Sequence, residues 1–260
     1  MIDQDQITEY LDNVIIKSRT LIDELTVEND SQKVAAYHYL RALNLLRSIR
    51  SLSIYGAALE ISVLLRSLFN LRINLGWLLN DDINKRVSRY LDFAPIYRKE
   101  YFDHFIVNDQ DLPDNFSREE YEEVKTHFDA TVDKYNLNPK NYRDLNNWSG
   151  ISIYQMAEQI NAEDEYSALY SKASHIEHTN PNVSHLYLNI DEENRIKNSF
   201  QDLSLIISFI HLGIHYFLVV KHLTSTLFDS LDSDSILSEI GHFKKHQAAI
   251  YEQIEKMKNT

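Results

Sequence analysis

Three histidines lie along one apolar stretch of the chain. His211 and His215 sit within Leu203 to Val220, "LSLIISFIHLGIHYFLVV", which holds no Lys, Arg, Asp or Glu, and His222 follows two residues later. At about 100° per helical residue, His215 lies roughly 40° from His211 and His222 roughly 20° from it. The three therefore share one narrow stripe, with Ser204 and Asp229 on the same line. Burying unpaired polar groups costs about 1–3 kcal/mol each, so such a stripe must meet partners or water. It reads first as a buried hydrogen-bonded network or the lining of a polar pocket. The sharper alternative is a metal, since His211 and His215 at i, i+4 can reach one ion, with a third ligand from His175, His178, His185 or Asp229. No His-Glu-x-x-His motif supports it. No metal or other cofactor is expected.

A second cluster lies in "YSKASHIEHTNP", residues 170–181. Ser174, His175 and His178 precede Asn180-Pro181, where a helix must stop. Histidines in a last turn can donate to its free carbonyls. With Tyr170 and Ser171 they can equally line a ligand pocket, His175 serving as acid or base. The third cluster is early. Glu60 and Arg66 stand in "AALEISVLLRSLFNLRINLGWLL", six residues and so about 120° apart, which prevents their pairing along one helix. Arg66 lines up with Asn70, and Glu60 with Ser67 and Asn74. A buried guanidinium serves a structural ion pair or grips a phosphate or carboxylate.

These residues need helices to position them. Apolar residues recur at helical spacing nearly everywhere, and no window alternates as a strand does. The spacing predicts helices over about Gln4–Leu25, Lys33–Ile54, Gly56–Leu79 and Ile83–Val107, with Asn80-Asp81-Asp82 offering caps to the last. Ser117 with Glu120 forms a capping box for a helix to about Tyr135. After the polar loop "NLNPKNYRDLNNWSG", Ser152 caps a short helix, and another runs from about Asp164 to His178. Asp191 opens a long helix to about Phe228, and a charged helix starts near Ser235. The expectation is an all-α, single-domain bundle over residues 1–260, with eight to nine helices and a long, mostly buried penultimate one.

Composition narrows the function. Five glycines and four prolines in 260 residues leave few turns, and no Gly-rich phosphate loop or Gly-x-Ser-x-Gly turn exists. Dinucleotide binding is therefore not expected. Cysteine is absent, which removes disulfides, thiolate nucleophiles and Cys-ligated zinc and suits a reducing, cytoplasmic setting. The amino end "MIDQDQITEY" lacks the basic and apolar regions of an export signal. The apolar run reaches only the short end of a membrane span, which needs about 20 residues, and it carries two histidines and two serines. A core helix is expected, and no membrane partner. A net charge of −13 argues against general nucleic-acid affinity. Between Ser31 and Asn80, however, six cations face Glu60 alone, 6 − 1 = +5, so a local basic face is expected.

Two resemblances add to this reading. "LLRSLFNLRINLGWLLNDDINKRVSRYLDF" and "NNWSGISIYQMAEQINAEDEYSALYSKASHIEH" resemble two blocks of a bacterial family known only as a domain of unknown function: an Arg-x-Leu-Phe-Glu helix with a Tyr-rich helix, then a Trp with Tyr-x-x-x-Ser-x-x-x-His. The resemblance implies a helical fold and a site at Arg66, Trp148, Tyr166, Tyr170, Ser171 or Ser174, and His175 or His178. Asn70 replaces the family's Glu. "RKEYFDH", Arg98 to His104, is similar to the arginine–histidine motif of HEPN ribonucleases, which cleave RNA without metal.

The function read from these residues is an interaction or sensor module with a polar His/Arg pocket in a defence or toxin-type system, binding a protein partner or self-associating. The alternative is a HEPN-like ribonuclease acting through Arg98 and His104, or through Arg66 and His175, with RNA as substrate. A metal-dependent hydrolase is the third reading.

Overall fold

The computed structural model describes residues 4–23, 25–107, 117–167, 189–190, 196–197 and 203–258. Helices carry the fold: α1 (Gln4–Ile22), α2 (Asp30–Ile54), α3 (Ala58–Leu79), α4 (Ile83–Asp92), α5 (Ala94–Val107), α6 (Arg118–Tyr135), α7 (Tyr142–Leu145), α8 (Ile153–Gln159), α9 (Glu163–Glu165), α10 (Leu203–Ser225) and α11 (Ser233–Lys258). Among the described residues the only strands are β1 (Asn189–Ile190) and β2 (Ile196–Lys197), paired antiparallel. The all-α expectation holds, and so does the long buried helix near the carboxyl end.

Caps legible in the sequence are in place. Asp82 Oδ1 accepts from Lys85 N at 3.2 Å. Ser117 and Glu120 close the capping box that opens α6, with bonds of 2.8 and 3.1 Å. Ser152 and Gln155 do the same for α8. Each satisfies amide donors that a helix start leaves open. α2 stops where Gly56 takes a positive φ of 71°, a conformation open to glycine at little cost.

Two helix expectations fail. The single helix from Ile83 to Val107 is two, interrupted at Phe93. Pro95 has no N–H to give to the Leu91 carbonyl four residues back, and its ring disfavours a helical residue before it. The long helix does not begin at Asp191, because Ile196–Lys197 is extended and paired with Asn189–Ile190. "DEENR" between them offers no apolar residue for a helix to bury, and isoleucines on both sides favour pairing.

The described residues fall into two units, 1–80 with 156–260, and 81–155. In the first, α10 is the central element and packs against α3, α2, α11 and α1. It is long and apolar enough to cross a membrane, and 61% of its apolar window is buried inside the protein. Gly213 lets it approach closely: a Cβ there would stand 3.2 Å from Ile49 Cδ1 and 3.5 Å from Leu65 Cδ2. Phe217 stacks on Tyr39 at 5.6 Å, and the Tyr39 hydroxyl donates to the Ser18 carbonyl at 3.0 Å, linking α10, α2 and α1. Arg50 adds a two-pronged ion pair to Asp12.

In the second unit α5 packs on α6. Arg89 is held over the Tyr135 and Phe93 rings, 4.6 and 5.4 Å from their centres, while its Nε donates to the Trp148 carbonyl. Gly150, at φ 79°, leaves room for that guanidinium, whose Nη2 would stand 3.4 Å from a Cβ.

Candidate functional site

α3 carries two charged residues after Glu60, Arg66 and Arg72, and the second organises the site. The Arg72 side chain is 12% exposed and its Nη2 donates to Glu165 Oε1 at 3.0 Å. The pair is half complete: among the described residues Arg72 Nε and Nη1 and Glu165 Oε2 are buried without a hydrogen-bond partner. The guanidinium carbon lies 5.9 Å from the centre of the Phe69 ring, which contacts Tyr216 at 5.3 Å and Tyr166 at 6.5 Å. An aromatic floor from α3, α10 and the end of α9 thus lies beside a half-satisfied ion pair.

His215 of α10 belongs to the same neighbourhood. Burial, then the positive fields of Lys244 and Arg72, push its imidazole down to about 4 from the usual 6.5. It is therefore neutral at pH 7, and its Nδ1 is buried without a partner among the described residues. A buried polar atom left unbonded in a native fold calls for a specific cause, and a ligand supplying the missing groups is one.

The sequence candidates divide. Two of the three α10 histidines meet α11: His211 lies 5.7 Å from the Phe243 ring, and His222 Nδ1 is 3.2 Å from the Ser233 hydroxyl. His211 is 1% exposed and its Nδ1 bonds the Ile207 carbonyl at 2.8 Å. No group of three His, Asp or Glu side chains able to hold a metal occurs among the described residues. Arg66 and Asn70 are half-buried on one face of α3; Arg72 leaves that helix about 120° from Arg66 and 160° from Asn70. Glu60 is exposed. Arg98 is exposed on α5, and position 104, in the same helix, is about 120° round from it. Tyr170, Ser171, Ser174, His175, His178 and His185 lie outside the described residues. Trp148 has a place in the second unit, its carbonyl holding Arg89 and its ring edge-on to Tyr90 at 4.8 Å.

A family model matches residues 32–196, more than half of the chain. The chain belongs to DUF5677, a family of unknown function. No curated protein and no solved structure matches it. The DUF5677 segment runs from α2 to β2 and includes Arg66, Arg72, Trp148 and Glu165, but it ends before α10 and its histidines.

Two charged site residues escaped the sequence reading, as did the Phe69 and Tyr216 rings, which read only as core. Arg72 gave a usable signal, because after Glu60 it and Arg66 are the only charges in an apolar helix with no acid beside them. Glu165 gave none. It is the last of Glu163, Asp164 and Glu165, 93 positions from its partner.

Proposed function

We propose that this DUF5677 protein is a ligand-reading interaction module whose sensing element is the Arg72–Glu165–His215 cluster. One observation carries the proposal: an ion pair with two guanidinium nitrogens and one carboxylate oxygen buried and, among the described residues, unbonded. Arg72 offers donors, and Glu165 Oε2 accepts. The complementary ligand carries an oxygen acceptor and an N–H donor on one small frame, as amino acids, carboxamides and nucleobases do. Half-buried Tyr166, backed by the fully buried Phe69 and Tyr216 rings, supplies apolar surface for the rest of it. His215, neutral at pH 7, adds a hydrogen-bond partner without a charge.

A thermal-shift panel of these three compound classes at about 100 times Kd is expected to stabilise the protein by about 2.7 kcal/mol. Arg72→Lys, which keeps the charge and loses the planar fork, is expected to abolish that response. A panel that shifts neither protein, with light scattering unchanged by every compound, contradicts the proposal. So does a response that Arg72→Lys retains.

A further inference from the structure

A groove of about 820 Å³ opens between α1, α10 and α11, separate from the Arg72 cluster. Tyr10, Lys17 and Thr20 line it from α1, Lys221 from α10, and Ser235, Ser238, Glu239 and His242 from α11. Its size is that of a small-molecule site.

Lys221 is the unusual residue. Its side chain is 6% exposed, and its Nζ donates to Glu239 Oε2 at 2.9 Å. Replacing a buried ion pair by apolar residues of similar volume is often neutral or stabilising, so packing alone does not account for a lysine there. An ammonium has three N–H donors, and Lys221 makes one hydrogen bond among the described residues. Two donors remain at a groove wall.

The other wall groups share that bias. Lys17 is exposed and unpaired among the described residues, and the Ser235 and Ser238 hydroxyls make no bonds there either. Burial, reinforced by the negative field of Glu239, pushes the Tyr10 phenol up to about 12, so it stays protonated. The carboxylate of Glu239 is the one anionic acceptor on the lining. Donors with two positive charges around one carboxylate suit an acceptor-rich anion. Two Lys221 donors, three from Lys17 and one from each serine exceed the roughly four acceptor positions of a carboxylate. A phosphate group, with three strong acceptor oxygens and nearly two negative charges, absorbs them.

We infer that the α1–α10–α11 groove binds a phosphomonoester, with Lys17 and Lys221 gripping the phosphate and the α11 serines donating to its oxygens. The group can be carried by a soluble sugar or by a lipid headgroup, and the test separates the two. Full-length protein is titrated calorimetrically with ribose 5-phosphate, with ribose as control, and is floated with vesicles containing phosphatidic acid or phosphatidylcholine alone. Saturable binding in one phosphate arm and not in its control is expected. Lys17→Gln, an exposed change that leaves the fold intact, should weaken it about tenfold or more, and Lys221→Met paired with Glu239→Leu should abolish it. Arg72→Lys should leave it unchanged, which separates this site from the sensing cluster. No binding in either arm overturns the inference. Binding indifferent to Lys17→Gln, or lost with Arg72→Lys, overturns it equally.

Discussion

His215 makes the acid stability of the protein calculable. The folded chain holds this imidazole neutral to about pH 4, chiefly through burial and then through the Lys244 and Arg72 charges, whereas an unfolded chain protonates it near 6.5. Between those values the unfolded state binds more protons, so stability falls as the solution is acidified. The contribution is complete above pH 6.5 and lost on the way down to pH 4. Displacement from 6.5 to about 4 is worth about 3 kcal/mol in all, of which about 2 kcal/mol has gone by pH 5. For a chain of this size that lowers the melting temperature by roughly 4–8 °C. Buried His38, also held below its usual value by desolvation, acts in the same direction, so the wild-type slope alone does not isolate His215. The informative quantity is the slope of His215→Gln against wild type, from urea melts at pH 7.5, 6.5, 5.5 and 5.0. The variant should be flatter by about 2 kcal/mol over that range, whatever its stability at pH 7.5. Parallel slopes, or an imidazole resonance of His215 that titrates near 6.5 by NMR, would show that the ring is solvated and refute the buried geometry.

Three further outcomes follow from packing. Replacing Lys221 and Glu239 together by Met and Leu should leave stability unchanged or raise it by about 1–4 kcal/mol, whereas Lys221→Met alone should lower it, as chemical denaturation will show. Gly213→Leu should cost about 3 kcal/mol or more, because Ile49 and Leu65 already stand within 3.5 Å of the first added carbon; Gly213→Ala should lie near neutral, a helix-propensity gain of about 1 kcal/mol offsetting the tight contact. Arg89→Lys should destabilise residues 81–155 by about 1–2 kcal/mol through loss of ring stacking and of the Trp148 carbonyl bond, read by Trp148 fluorescence in a Trp77→Phe background.

Most of the helical frame was legible because its signals are local. Caps at Asp82, Ser117 and Ser152 rest on side chains three residues from the amides they serve, and apolar spacing in α2, α3 and α10 needs no distant partner. Pro95 marks the α4–α5 break just as locally, but the apolar pattern continues through it and masks the stop. The start of α10 was misplaced because a strand pair depends on a second segment that periodicity in one window does not reveal. The site was harder. The α10 stripe marks polar groups correctly, yet only packing shows that His215 shares an electrostatic neighbourhood with Arg72 while His211 meets Phe243. Glu165 becomes meaningful only once α9 is folded beside α3.

The chain leaves the first unit after Asn80 and re-enters it at Met156. The two ends are fastened there: Trp77 Nε1 donates to Gln159 Oε1 at 2.6 Å, and Asn80 Nδ2 to the Gln159 carbonyl at 3.1 Å. During synthesis, therefore, α1 to α3 emerge with their apolar faces unfilled and wait for α10, translated more than a hundred codons later, to cover them. Residues 81–155 emerge whole in the meantime. Vectorial translation thus lets residues 81–155 complete their own contacts before the helix that fills the first unit has been made.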